Sequence, residues 1–495
     1  MVSKIVVVGG GSAGFIAAAT LKAKLPALQV RLIRSKDIGI IGVGEGSTFP
    51  LTHFLHVYLR INRKRFYELA RPTFKLGLRF IWGPRPYFNY TFGAGPHETN
   101  VPGLIKSYGY YADSDMEDCE LLSSLMTADR VFEQMNGRPK FHNGMAYHFE
   151  NERFVRFLEE YARGLGVEIV DDTIVQVNQS EAGVCGLVLQ SGRVETADLY
   201  ADCSGFASLL LGKTLGEPFI DFKSSLFCNR ALVGGWDRTN EIIKPYTTCE
   251  TMPSGWCWQI EHESRINRGY VYCSDFISDE EAEKQFRAAN PKVGPARIVR
   301  FATGRYERRW VKNVVAIGNA SGFVEPLEAT ALGMLALQSR HLAQTLLESD
   351  FQPTPTQILA NNSAHARSWD DIRRFIAIHY KYNDRLDTPF WRACREETDL
   401  AGAEPIVEYY QENGPAPYWA ETLFHQSEQF HFAGYSALLL GQRVPFRKSR
   451  PITAAEMQVW ERHRARNRAA AAAALTVRQT LDLIHSPTWK WDNQA

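Results

Sequence analysis

The sequence predicts an α/β fold: mixed sheets built on a doubly wound core, with a mainly helical C-terminal region packed on it. Three observations carry this expectation. Residues 5–8 form a β-branched run, followed by Gly9-x-Gly11-x-x-Gly14, an alanine-rich stretch and a second apolar run, the β-α-β opening of a parallel sheet. Strand-like runs recur as far as residue 317. Beyond residue 332 the apolar positions repeat at helical spacing. The division is placed at residue 340, with 1–340 as the nucleotide-binding module and 341–495 as the helical region.

Taken in order, residues 15–25 read as the first helix and 29–33 as the second strand. Residues 35–50 form a loop containing Gly39, Gly42, Gly44 and Gly46. So close behind a nucleotide-binding unit it is placed to touch a ligand, although a plain surface connection has the same composition. Residues 73–80 alternate, with Phe74, Leu76, Leu78 and Phe80 on one face and Lys75, Gly77 and Arg79 on the other, which reads as one strand. A helix over 151–165 precedes strands at 168–170 and 173–177, and a strand from 198 ends in Asp202-Cys203-Ser204-Gly205. After a strand at 269–274, Ser278 with Glu281 three positions on marks a capped helix over 278–289. Residues 313–317 are a further buried strand, leading into Gly318-Asn319-Ala320. Helical runs follow at 333–348, 366–380, 403–411, 420–431 and 455–484, and the prolines near 351–355 mark a turn.

Composition narrows the function classes. The chain has 495 residues, 45% hydrophobic and 22% charged, with a net charge of +1, so neither nucleic acid nor an anionic membrane is implied as a partner. Its eight cysteines form no Cys-x-x-Cys pair, and no metal site is expected. No stretch reaches the roughly 20 apolar residues of a membrane span. A reduced, cytoplasmic protein is the expectation, with no signal peptide, because cleavage would remove the glycine motif.

That motif carries the cofactor. Gly9 permits the turn, Gly11 lets the backbone approach a pyrophosphate, and Gly14 packs helix against strand, while Ser12 and Ala13 lie within the motif and the helix N-terminus that follows supplies free N–H groups for the phosphates. The second strand ends Leu32-Ile33-Arg34-Ser35, without the acid that usually holds ribose hydroxyls, and Arg34 is read as packing on adenine or ribose instead. A second nucleotide-contacting strand ending at Gly318 favours FAD over NAD.

The remaining motifs carry a resemblance. Gly42-Val43-Gly44-Glu45, Phe74-Lys75, Asp202-Cys203-Ser204-Gly205-Phe206, Gly255-Trp256-Cys257-Trp258-Gln259-Ile260, Phe323-Val324-Glu325-Pro326-Leu327-Glu328 and Asp387-Thr388-Pro389-Phe390-Trp391-Arg392 stand in the order and spacing of the flavin-dependent tryptophan halogenases. The chain resembles that family from residue 4 to about 395. The resemblance implies halogenation of an electron-rich aromatic with reduced FAD, dioxygen and chloride or bromide. In that family a flavin hydroperoxide oxidises the halide to hypohalous acid, which passes to a separate substrate chamber.

Each motif acquires a role from the resemblance. Lys75 would hold the oxidant there, by hydrogen bond or as a haloamine, with Arg79 a lesser alternative; a strand lysine is otherwise a solvated residue. Glu328 would orient the oxidant or take the ring proton, though a carboxylate at a helix start has a structural role too. Val43, Glu45, Ile174, Pro326, Ala331 and Leu332 would contact the cofactor, and the N–H groups of Thr330 and Ala331 would hold the halide. Here Glu328-Ala329-Thr330-Ala331 replaces the family's usual Glu-Ser-Thr-Gly. Trp256 and Trp258 would keep substrate from the flavin, and Glu261 stands where a proline normally closes their motif.

Tyr90 falls where an aromatic would stack on the substrate. The family's amino-acid clamp is missing from 424–435, so the substrate is read as an indole-type or other electron-rich arene without the amino-acid group, larger or more apolar than tryptophan. A separate NAD(P)H flavin reductase would supply the reduced flavin, since no second Gly-x-Gly-x-x-Gly is present, and a homodimer would be typical of the resemblance. A flavin-dependent aromatic hydroxylase is the alternative; it would need neither Lys75 nor the tryptophan pair. A non-catalytic flavin-binding protein is the more distant one.

Overall fold

The computed structural model describes residues 1–39, 44–93, 101–113, 116–141, 144–425 and 428–491. Its first layer is a six-stranded sheet in the order Glu168–Asp171, Gln29–Arg34, Lys4–Val8, Leu199–Asp202, Val314–Ala316 and Trp310–Val311. The first five run parallel and only the last edge is antiparallel. Helix Ser12–Lys24 lies on this sheet, packed against Asn151–Gly164 and Ala331–Glu348. Its buried face is alanine-rich, so helix and strand approach closely. Residue 340 lies inside helix Ala331–Glu348.

A second, seven-stranded sheet runs Arg297–Arg300, Arg230–Asp237, Arg265–Tyr272, Gly255–Glu261, Thr247–Met252, Gly77–Ile81 and Phe88–Thr91. It is antiparallel except between Thr247–Met252 and Gly77–Ile81. The helices Pro355–Lys381, Pro389–Glu397, Glu404–Asn413 and Phe432–Gly441 share one apolar core with it, to which Phe80, Trp82, Trp256, Trp258, Phe375 and Tyr435 belong. Between the two large sheets lies a three-stranded one of Glu45–Gly46, Ala146–Phe149 and Thr73–Lys75. Among the described residues no helix is long and apolar enough to cross a membrane, and the cysteines are free, with all but Cys185 buried.

Several expected elements are corrected. The alternating run at 73–80 is two strands, not one: Thr73–Lys75 pairs with Ala146–Phe149, and Gly77–Ile81 joins the seven-stranded sheet. Leu76 is the crossing point, its N–H bonded to Pro245 O and its carbonyl to Phe92 N–H. Both faces of the run are covered, so Lys75 is buried as fully as Phe74. The helical run at 420–431 reduces to the short turns Pro417–Ala420 and Glu421–Leu423. The real helix there is Phe432–Gly441, buried along nearly its whole length and therefore without the polar stripe that a 3.6 period requires. The run at 455–484 divides into Ala454–Ala472 and Val477–Ile484, because Thr476 and Gln479 form a capping box that starts a new helix. The run at 366–380 begins earlier, in a helix Pro355–Lys381 started by the capping box of Thr354 and Gln357. The capped helix read at 278 is present, with Ser278 accepting from Glu281 N–H.

Candidate active site

The glycine loop has the shape its spacing implies. Gly9 has φ +124°, and a Cβ there would come within 2.3 Å of Cys203 O; a Cβ on Gly14 would come within 1.9 Å of Gly9 O. Gly11 differs, since a Cβ there would meet nothing within 4 Å. The first helical hydrogen bond runs from Phe15 N–H to Gly11 O. The N–H groups of Ser12, Ala13 and Gly14 have no acceptor among the described residues. Open volume at Gly11 beside free donors at a helix start fits a dinucleotide pyrophosphate.

Of the other residues expected to contact the nucleotide, Arg34 and Gly318 lie beside this loop. Ser12 Oγ donates to Asn151 Oδ1 at 3.1 Å. Arg34 packs on the loop, because a Cβ on Gly10 would lie 2.5 Å from its own Cβ, and its guanidinium forks onto Glu159 at 2.5 and 3.0 Å. Gly318, at φ +69°, donates its N–H to Gln338 Oε1 and sits against Ala13 and Leu335, which brings the two nucleotide strands together. Ile174 opens strand Ile174–Ser180 and packs with Val8 and Ile33. Glu45 is half-buried, and burial lifts its carboxyl to about 7. Val43 lies outside the described residues.

Lys75 stands deep in the molecule. Its side chain is fully buried, and Nζ has no hydrogen-bond partner among the described residues. The ammonium lies 5.3 Å from the centre of the Phe92 ring. Burial pushes it down from 10.5 to about 8, while Cys249 and Glu328 act weakly in the opposite sense. An unpaired buried amine is costly to a fold and is a mark of function. Gly46 packs closely against it: a Cβ there would lie 3.2 Å from Lys75 Nζ, 3.3 Å from Thr247 Oγ1 and 3.5 Å from the Cβ of Ala329, so only glycine admits the amine without a crowded contact. Thr247 is held from behind by His148 Nε2 at 2.8 Å. Arg79, by contrast, is committed to Asn89, Tyr246 and the Met126 carbonyl.

Glu328 closes the far side. It lies in the turn Pro326–Glu328, followed by Ala329 at φ +54°, an uncommon left-handed position for a residue with a side chain. Burial raises its carboxyl, and the hydrogen bond and charge of His379, then Lys75, pull it back down. His379 Nε2 and Glu328 Oε1 are 2.6 Å apart, and both side chains are buried. Thr330 and Ala331 begin helix Ala331–Glu348, and the N–H groups of residues 330–333 have no acceptor among the described residues. Leu332 is buried beneath them. Pro326 supplies its carbonyl to Ala329 N–H and so shapes the turn.

Trp256 and Trp258 project from one face of strand Gly255–Glu261, with ring centroids 6.0 Å apart, and pack with Val324 and Leu327. Gly269 makes room for Trp258, since a Cβ there would fall 1.9 Å from the indole ring. Glu261, in the place of a proline, is a buried partner of Arg238 at 2.5 Å. Tyr90 lies against Phe375 with ring centroids 6.0 Å apart, and its hydroxyl is 3.0 Å from where a Cβ on Gly434 would be. Burial raises its phenol well above the ordinary value, and the charge of Glu328 adds to that.

Sequence reasoning missed several residues here. His379, Tyr380 and Glu325 are buried together; Tyr380 OH donates to Glu325, whose carboxyl burial lifts to about 8 against the pull of Tyr380 and Trp256. Glu325 sits within a quoted motif, but His379 and Tyr380 have no signal beyond helical spacing.

Similarity to known proteins identifies the family. The tryptophan halogenase family model matches residues 4–458. Tryptophan 7-halogenase RebH of Lentzea aerocolonigenes is 30% identical over 460 residues, 86% of each chain. The 7-chloro-L-tryptophan 6-halogenase KtzR of Kutzneria sp. is 31% identical over 479 residues, 88% of this chain and 90% of the relative. The crystal structure of MibH, a lanthipeptide tryptophan 5-halogenase, matches with a TM-score of 0.89 and 38% identity, covering 98% of this chain and 94% of that one. A flavin-dependent halogenase from Xanthomonas campestris gives 0.85 and 28%, over 97% and 98%. These matches do not favour the aromatic hydroxylase that the sequence also allowed. The chain belongs to the tryptophan halogenase family and is a flavin-dependent halogenase.

Proposed function

We propose that the chain uses FADH2, dioxygen and chloride or bromide to halogenate an indole-type ring that arrives without a free amino-acid group, with Lys75 presenting the oxidant and Glu328 receiving the ring proton. The observation that carries this is the buried, unpartnered ammonium of Lys75, with Glu328 near enough to influence its charge. The loop donors of Ser12 and Ala13, with Gly318 and Arg34, are suited to hold FAD, and the N–H groups of Thr330 and Ala331 to hold the halide. Held there, FADH2 would give two electrons to dioxygen, and the peroxide-level oxygen so formed would oxidise halide to hypohalous acid, with FAD and water as the other products. Trp256 and Trp258 fill the core beside this site and keep substrate apart from the flavin.

The chain's own residues then do the rest. The Lys75 ammonium donates to the oxygen of hypohalous acid and polarises the O–X bond. A carbon of the ring attacks the halogen, so that C–X forms and X–O breaks. The departing hydroxide takes a proton from Lys75 and becomes water, and Glu328 removes the proton from the substituted carbon. The sum is arene plus hypohalous acid giving haloarene plus water. With a pKa near 8, Lys75 is mostly ammonium at neutral pH, which supports the hydrogen-bonding route over the haloamine route.

Much of the charge near 424–435 is paired within the protein: Glu428 Oε1 pairs with Arg374 at 2.9 Å, and Asp371 accepts from the N–H groups of Gln429 and Phe430, while Glu428 Oε2 is buried without a hydrogen-bond partner among the described residues. Aromatic rings surround these groups: Phe375 stacks on Phe430 at 3.8 Å, with Tyr435 and Phe424 alongside. The name of the similar lanthipeptide tryptophan 5-halogenase points to an indole carried by a peptide as the form to test first. A flavin reductase acting on NAD(P)H would be the supplying partner. Reduced FAD, oxygen and either halide are offered with free tryptophan, indole and a tryptophan-containing peptide, and products are read by mass spectrometry. Halogenated indole or peptide in excess over halogenated free tryptophan is expected; a preference for the free amino acid contradicts the substrate reading.

A further inference from the structure

We infer that His379 is a positioning residue for the halogenation step: it shares one bridging proton with Glu328, so that the pair accepts the ring proton as a single unit. This rests on the role proposed above for Glu328. The geometry fixes the proton count. His379 Nδ1 is 3.1 Å from the carbonyl of Phe375, which can only accept, so Nδ1 carries a hydrogen. Nε2 then faces Glu328 Oε1 at 2.6 Å across one hydrogen. That hydrogen belongs either to an imidazolium facing a carboxylate or to a carboxylic acid facing an imidazole, and in both cases the pair is neutral overall.

Glu328 Oε2 accepts no hydrogen bond from the described residues, which leaves it for the reacting carbon. When the ring proton binds to Oε2, the bridging proton settles on Nε2, and the unit ends as carboxylic acid and imidazolium. One proton is gained, no electron moves, and the ring recovers its aromatic pair from the broken C–H bond. The positive charge is left among aromatic rings set edge-on or tilted to it: Phe80, Phe375 and Trp82 have centroids 5.2, 5.4 and 6.4 Å from that of the imidazole. Trp82 Nε1 also donates to the His379 carbonyl, which pins the helix in place. The other titratable groups facing Glu328 are Lys75, Cys249 and Tyr90, from three different strands. Of these Lys75 alone contributes a positive charge, so removing His379 removes the nearer of the two influences that favour carboxylate over acid.

The test is a pH profile of product formed per flavin oxidised, in wild type, His379→Gln and His379→Leu. Glutamine keeps a donor toward Oε1 without the charge; leucine removes both. The acid limb of the profile is expected to move up by about 1–3 pH units in His379→Leu and by less in His379→Gln, with product recovering as pH rises. Hypohalous acid captured by an external trap should stay at the wild-type level throughout. An unmoved acid limb in both variants, or a loss of the same size at every pH, overturns the inference. If wild type halogenates while Glu328→Gln has no effect, it is instead the reading of Glu328 that fails.

Discussion

A Cβ built on Gly14 would stand 1.9 Å from the carbonyl oxygen of Gly9, whereas the same atom on Gly11 would touch nothing. The two glycines therefore differ within one motif: Gly14 is required by the packing of helix on strand, whereas Gly11 leaves space in which the proposed nucleotide would lie. Gly14→Ala is expected to destabilise the flavin-free protein by about 1–3 kcal/mol through overpacking. Gly11→Ala is expected to leave the flavin-free melting temperature unchanged and to weaken FAD binding by roughly tenfold or more, about 1.4 kcal/mol. Thermal unfolding without flavin and a fluorescence titration with it separate the two.

Lys75 is a cost to the fold. Its amine falls from 10.5 to about 8 because it is buried without a partner. Below pH 8 both folded and unfolded chains carry the proton, so the whole penalty is present, about 3 kcal/mol. Between 8 and 10.5 the unfolded chain binds more protons than the folded one, and stability rises with pH. Lys75→Met is therefore expected to be more stable than wild type at pH 7, with the gap closing by pH 10. Denaturant unfolding at both pH values checks the sign.

The same amine sets the alkaline limb of activity. If Lys75 works as a hydrogen-bond donor, product formed per flavin oxidised falls as pH passes about 8. A haloamine route needs the free amine and gives a rise over that range. The limb should be absent in Lys75→Arg, whose charge persists at all accessible pH.

Trp258 occupies the volume that Gly269 vacates. Gly269→Ala is expected to displace the indole, to destabilise the fold by about 1–3 kcal/mol, and to raise the share of oxidised flavin that yields no halogenated product. Coupling measured alongside melting temperature shows whether the tryptophan pair separates substrate from flavin or merely fills the core.

The sequence made the nucleotide half legible because its signals are local. A strand, three spaced glycines and a helix start determine each other within a short span, and Gly9 and Gly14 stand in the turn and the close helix–strand contact that their spacing implies. The other half of the site depends on contacts distant in sequence. Lys75 reads as one face of an amphipathic strand, yet the chain changes sheets at Leu76 and both faces are covered, which no alternation pattern reveals. His379 reaches Glu328 across 51 positions, and nothing in its helix distinguishes it from a core histidine. Helix Phe432–Gly441 was hidden by its own burial, being apolar on every side.

The account depends most on the step at Lys75, so the most direct measurement is made on Lys75→Ala. Reduced FAD, oxygen and halide are supplied, and halogenated product and trapped hypohalous acid are counted against flavin oxidised. The expected result is product lower by roughly 100-fold or more, as when a single transition-state donor is removed, with trapped oxidant at or above the wild-type level. Product at the wild-type ratio in that variant would contradict the account.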